Sequence, residues 1–216
     1  MLSYDLVPPR IPTGTPYHCL VLHGLGDSKE GWKAVAPELG IPQLGWCFAQ
    51  APIPYYEGWS WFRIYEDRSV DDDQVRESRR ELARLIDHLL TTLAIPSERL
   101  FIMGFSQGCL MTLDHGLRAD RPFAGLIGIS GFLSMLDEYP AAFGAAMKQQ
   151  HILLTHGLYD GVVPISLTRR IKDRLLAMAV PLDWREYPKE HTIDPQRELA
   201  DLRAFLARRI AAGVGT

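Results

Sequence analysis

A serine held between two glycines, Gly104-Phe105-Ser106-Gln107-Gly108, is the stretch of this chain best suited to chemistry. A serine hydroxyl can attack an electrophilic carbon once a neighbouring base takes its proton. The apolar run 100–103 before it predicts a buried strand, and Leu110, Leu113 and Leu117 after it are spaced for one face of a helix. Strand, sharp turn and helix would hold the Ser106 hydroxyl proud of a sheet. There the helix dipole and free N–H groups favour developing negative charge. Side chains at positions 104 and 108 would collide with so tight a turn. A glycine-rich turn capped by serine would share the five residues, and it is the flanking strand and helix that point to a nucleophile.

Such a serine needs a base, and the base needs an orienting acid. In doubly wound sheets these groups gather at the carboxyl ends of strands. Asp160 follows the strand predicted over 151–155 and lies between Gly157 and Gly161. His191 follows the alternating segment 182–187. The order Ser106, Asp160, His191 is nucleophile, acid, base, the order of an α/β-hydrolase. His23 and His156 also fall at strand ends, where structural hydrogen bonding is the expected role, and His88 is expected on the exposed face of its helix. Asp137, Asp173 and Asp183 read as solvated surface.

An oxyanion needs backbone donors. The N–H of Gln107 is one candidate, and the N–H of Leu25, within His23-Gly24-Leu25-Gly26, is the other. His23 with Asp27, and His156 with Asp160, resemble metal-ligand spacings. Both pairs lie on turns without a third ligand, so no metal site is expected.

The elements that must position these groups follow from periodicity. Residues 1–16 are a proline-containing lead-in with a short edge strand near 2–7. A strand over 17–22 leads to a helix capped by Asp27 or Ser28 and running to about Leu39. A strand over 45–51 precedes an aromatic-rich loop, 52–69. The helix over 71–93 opens on acids and buries Leu82, Leu85, Ile86, Leu89 and Leu93. Further strands are expected over 123–129, 151–155 and 182–187, a helical or irregular segment over 139–149, and helices over 164–178 and from Pro195, capped by Asp194, to about Ala211. The alternation predicts an α/β fold, a doubly wound, mostly parallel sheet with helices on both faces, in a single domain over 1–216.

The bulk composition narrows the partners. The chain has 216 residues, 47% hydrophobic and 23% charged, with a net charge of −3. That balance gives no electrostatic reason to expect nucleic acid or an anionic membrane. No segment reaches the length of a membrane span, and no secretory signal is visible, so a cytoplasmic location is expected. Three cysteines, Cys19, Cys47 and Cys109, fall within apolar segments and read as buried free thiols.

The joint pattern of His23-Gly-Leu-Gly-Asp27, Gln50-Ala-Pro52, Ser60-Trp-Phe62, Gly104-Phe-Ser-Gln-Gly108, His156-Gly-x-x-Asp160 with Val163-Pro164, and His191 resembles the small carboxylesterase/phospholipase family of α/β-hydrolases. Acyl-protein thioesterases and bacterial carboxylesterases belong to that family. The likeness runs from about residue 17 to the end without a large lid insertion. It implies a cofactor-free serine hydrolase of carboxylic esters or thioesters, with triad Ser106, Asp160 and His191 and oxyanion donors Leu25 and Gln107. It also places Trp59, Trp61 and Phe62 near an acyl pocket. Two positions depart from the family pattern: Glu190 stands where glycine usually precedes the base, and Arg63 where the family often has aspartate. The expected partner is a small-molecule or lipid-like ester, without nucleic acid or a stable membrane anchor, and a second copy of the chain is a candidate for a homodimer. A thioesterase or lysophospholipase would use the same triad. A hydrolase-fold binding module without turnover, or a nucleotide-binding doubly wound protein, are the rivals from other classes. The complete triad counts against the first, and the absence of a phosphate-binding glycine loop counts against the second.

Overall fold

The computed structural model describes residues 1–11, 14–135 and 143–213. Seven strands form one sheet: β1 (Tyr4–Val7), β2 (Tyr17–Leu22), β3 (Leu44–Ala49), β6 (Leu100–Phe105), β7 (Gly125–Ile129), β8 (Ile152–Gly157) and β9 (Leu182–Tyr187). Their spatial order is β1-β3-β2-β6-β7-β8-β9. Only β1 runs antiparallel to its neighbour; the other pairings are parallel. The helices are α1 (Val35–Glu38), α2 (Asp72–Leu93), α3 (Gln107–Arg118), α4 (Ile165–Ala177) and α5 (Arg197–Ala212). No large lid domain interrupts the described residues.

The strands read as continuous apolar runs because both faces are covered. Along β2, Leu20 and Leu22 enter one core with α2, α3 and α4, while Cys19 and Val21 enter the other with α1 and α5. The long helix α2 forms where expected. The Asp71 carboxylate accepts the Gln74 N–H at 3.0 Å, and Leu82, Leu85, Ile86 and Leu89 are buried. All three cysteines are buried free thiols.

Four expectations need correction. After β2 there is no helix from residue 28 to 39, only a 3₁₀ turn (Gly31–Lys33) and the short α1. Asp27 and Ser28 do accept N–H groups, from Ser28 and Glu30, but Gly31 weakens a helix there and Pro37 fits only a first turn. The expected loop 52–69 contains a hairpin, β4 (Ile53–Tyr55) with β5 (Gly58–Ser60). Its two-residue turn, Tyr56-Glu57, holds Tyr56 at φ 51° without the Asn-Gly signal that announces such turns. Helix α5 starts at Arg197 rather than at Pro195, although Asp194 accepts the N–H groups of Gln196 and Arg197 at 2.9 and 2.7 Å. His88 is half-buried, 3.0 Å from the Tyr4 hydroxyl of the edge strand, instead of exposed. The segment expected over 139–149 lies partly outside the described residues; within them, Met147–Gln149 forms one 3₁₀ turn.

Candidate active site

Ser106 joins β6 to α3 with φ 54° and ψ −112°, a strained backbone for a residue with a side chain. Neighbours hold it there. Its N–H donates to the Ile129 carbonyl at 2.9 Å, and its carbonyl accepts from Cys109 N at 3.1 Å. A Cβ at Gly104 would stand 2.0 Å from the Gly108 oxygen, and one at Gly108 would stand 2.1 Å from the Leu22 oxygen. The end of β2, the end of β6 and the start of α3 therefore touch backbone to backbone.

Asp160 follows β8 and His191 follows β9, and the two loops meet over Ser106. His191 Nε2 lies 3.1 Å from Ser106 Oγ, and His191 Nδ1 lies 2.8 Å from Asp160 Oδ2. The Asp160 side chain is wholly buried. Burial pushes its carboxyl up, but the His191 hydrogen bond and the N–H groups of Val163 and Val162 outweigh it and hold the carboxyl below its usual range. An ionised carboxylate only accepts, so Nδ1 carries the imidazole proton and Nε2 presents its lone pair to the serine hydroxyl.

The loop after β2 is fastened from several sides. His23 Nε2 accepts the Ala51 N–H at 3.1 Å, which leaves Nδ1–H to donate to the Gly24 carbonyl at 2.7 Å. Trp61 Nε1 donates to the His23 carbonyl at 2.9 Å. The Gly26 N–H donates to the Trp59 carbonyl at 2.9 Å and the Trp59 N–H to the Asp27 carbonyl at 3.0 Å, and a Cβ at Gly58 would lie 2.0 Å from the Gly26 oxygen. The N–H groups of Leu25 and Gln107 make no hydrogen bond among the described residues. Gly24, Leu25 and Ser106 all border one cavity.

That cavity measures about 900 Å³ and its apolar wall includes Ile53, Tyr55, Phe62, Phe105, Phe132 and Leu167. Of Trp59, Trp61 and Phe62, only Phe62 borders it. Trp61 is fully buried beside His23, its ring spent on the core, and Trp59 is half-buried against the same core. Their shared motif did not reveal that strand alternation in β5 and the turn beyond it send neighbours in different directions. Arg63 and Arg68 border the cavity as well.

Three contributors carried little sequence signal. The Gln107 side chain, distinct from its backbone, donates to the Phe62 carbonyl at 2.7 Å and accepts the Trp61 N–H at 2.9 Å. It thereby ties the start of α3 to the cavity wall. Lys189 and Glu198 form a buried ion pair at 2.6 Å beneath His191. The one signal that could have found Lys189 is its place two residues before His191.

Among the described residues no cluster of three or more His, Cys, Asp or Glu side chains could hold a metal ion, and no helix is long and apolar enough to cross a membrane.

Comparisons with known proteins bear on the family and the fold. Acyl-protein thioesterase 1 of Schizosaccharomyces pombe is 36% identical over 159 residues, covering 69% of this chain and 70% of the relative. The protein of the same name from Yarrowia lipolytica is 28% identical over 218 residues, covering 93% of this chain and 96% of the relative. The crystal structure of esterase PE8 superimposes with a TM-score of 0.87 at 24% identity, covering 96% of this chain and 98% of that one, and so shares the α/β-hydrolase fold. A family model described as phospholipase/carboxylesterase matches residues 16–210. The chain is a hydrolase that belongs to the phospholipase/carboxylesterase family.

Proposed function

We propose that this protein is a serine hydrolase that cleaves carboxylic esters of short to medium acyl chains through an acyl-enzyme on Ser106. His191 Nε2 takes the hydroxyl proton as Ser106 Oγ attacks the acyl carbon. Asp160 stabilises the imidazolium that forms. The N–H groups of Leu25 and Gln107 receive the oxyanion, an assignment supported by their lack of other acceptors, by the place of Leu25 on the cavity and by that of Gln107 directly after Ser106. The imidazolium returns its proton to the leaving alcohol. Water, deprotonated by His191, then attacks the acyl-enzyme, and the acid leaves as Ser106 regains its proton.

The observation that carries the reading is the pair of distances through one imidazole, 3.1 Å to Ser106 Oγ and 2.8 Å to Asp160 Oδ2. The apolar cavity of about 900 Å³ supports a small-molecule or lipid-like ester, with Phe62 rather than Trp59 or Trp61 meeting it. No cofactor enters the scheme. The buried free thiols fit a reducing, cytoplasmic setting.

A second reading, hydrolysis of acyl thioesters, is favoured by the two relatives named above, both acyl-protein thioesterases that match most of the chain. The same attack serves both, since only the leaving group changes from alcohol to thiol. Lysophospholipase activity is a variant of the first reading with a lipid alcohol. A p-nitrophenyl ester series, short to long acyl, beside matched S-acyl peptides separates them. Preference for oxygen esters of short acyl groups supports the first reading; kcat/KM at least ten times higher on S-acyl peptides supports the second. A folded protein that turns over neither would contradict both.

A further inference from the structure

The proposed reaction asks His191 to keep one orientation, yet the histidine sits on an irregular connection, 188–196, between β9 and α5. We propose that Lys189 and Glu198 are positioning residues that lock this connection so that the imidazole stays aligned between Asp160 and Ser106; the inference rests on the serine-hydrolase reading above.

Lys189 is 6% exposed and Glu198 wholly buried. The ammonium has three protons to donate. It meets the Glu198 carboxylate at 2.6 and 2.7 Å, the Thr192 carbonyl at 2.7 Å and the Ser130 hydroxyl at 3.1 Å. The Thr192 contact matters most for the base. Lys189 lies before His191 and Thr192 directly after it, so the side chain closes a ring around the Glu190-His191 segment. The Thr192 N–H, donating to the Glu190 carbonyl at 2.9 Å, tightens the same turn.

The other contacts tie that ring to the rest of the site. Ser130 follows Ile129, whose carbonyl holds the Ser106 N–H. The Lys189 carbonyl accepts the N–H of Tyr159, the neighbour of Asp160, at 3.1 Å. A Cβ at Gly157 would lie 2.3 Å from the same carbonyl, so the acid's strand and the base's loop run in close contact. Glu198 holds the far end, accepting the Asp194 N–H at 2.9 Å from within α5. One residue thus links the connection that carries the base to the one that carries the acid, and to Ser130 beside the carbonyl that holds the nucleophile's N–H.

A buried ion pair adds little stability over packed apolar side chains, because both charges lose their hydration. Burial pushes the Lys189 ammonium down, and Glu198 only partly restores it. The pair's contribution is therefore a fixed geometry. Neither side chain borders the cavity or hydrogen-bonds to Ser106 or His191, so the two act through the loop and not on the substrate.

The test is the double variant Lys189→Met/Glu198→Gln, which leaves no orphaned buried charge. Steady-state kinetics on a p-nitrophenyl ester are normalised to the sites that a fluorophosphonate labels at completion. A misplacement of about 1 Å costs on the order of 100-fold, so kcat per labelled site should fall about 10–100-fold with KM within about threefold. A role in folding alone would reduce the number of labelled sites and leave each with wild-type kcat. That result would overturn the inference. Should the double variant not fold, Glu198→Gln alone is expected to lower kcat per site about 3–10-fold by loosening one anchor, and unchanged kcat there would overturn it equally. Ser106→Ala is measured in parallel. Its retention of turnover would sink the serine-hydrolase reading itself, an outcome separable from full activity in the double variant.

Discussion

Ser106 and His191, the proposed nucleophile and base, are held by opposite means. Around Ser106 the restraint is steric: glycine backbones at 104 and 108 press against carbonyls with no room for a methyl group, and the serine is held at φ 54°. Around His191 the restraint is polar: a lysine, a glutamate and a few loop N–H groups fix a segment without regular structure. Hard-sphere contact tolerates almost no change at the elbow, since cores are close-packed. A hydrogen-bonded loop tolerates change wherever a side chain points to solvent and fails where one is buried. The strained turn is therefore anchored by close backbone contact, and the proposed base rests on a hydrogen-bonded loop.

The sharpest way to break the steric half is Gly108→Ala. Its Cβ would lie 2.1 Å from the Leu22 oxygen and 2.8 Å from the His23 oxygen, both backbone atoms that cannot swing aside. The expected loss is about 4 kcal/mol or more, read as a collapse of the denaturant midpoint or failure to obtain folded protein. A midpoint unchanged from wild type would show that the elbow has slack.

The polar half breaks at Asp160. Asp160→Asn keeps the shape but no longer enforces a proton on Nδ1, and kcat should fall on the order of 10,000-fold with little change in KM. A fall of less than tenfold would remove Asp160 from the orienting role.

The sequence announced the two positions through different signals. The elbow was legible because its requirements are local: apolar run, glycines and helix follow one another within 18 residues, 99–116. Asp160 and His191 were legible because strand ends gather functional groups, so chain order sufficed. The buried Lys189–Glu198 pair and the Gln107 side-chain clamp were not, because each depends on which way a polar side chain turns once distant segments have packed. The hairpin at 53–60 was hidden for a different reason. Its turn lacks the usual residues, and its stability comes from pairing with the Gly24–Asp27 loop, a long-range contact. Phe62 borders the cavity and Trp59 and Trp61 do not, a distinction hidden in the sequence because an aromatic cluster looks the same whether it lines a cavity or fills a core.

A smaller effect concerns pH. The folded Asp160 carboxyl is held below its usual range. Its contribution to stability is fully present above the unfolded carboxylate pKa of about 3.9 and is lost as pH falls through the lower folded value. The Tm of wild type should therefore fall more steeply below about pH 4 than that of Asp160→Asn, by scanning calorimetry from pH 6 down to pH 3. Parallel curves would mean that the carboxylate is not stabilised by its partners.

The smallest effect is expected at Glu190, the departure from the family pattern beside the base. Its side chain is exposed, so Glu190→Gly should change kcat/KM less than about threefold and Tm by little. A tenfold change would place a carboxylate near the reacting atoms and sharpen the contrast between the exposed and buried sides of this loop.

The central claim, that Ser106 is the nucleophile activated by His191, is tested most directly by fluorophosphonate labelling followed by peptide mass spectrometry. One adduct on Ser106 is predicted in the wild type, none in Ser106→Ala, and a labelling rate in His191→Asn lower by at least about 1,000-fold. An adduct on another residue, or Ser106→Ala hydrolysing esters at the wild-type rate, would contradict it.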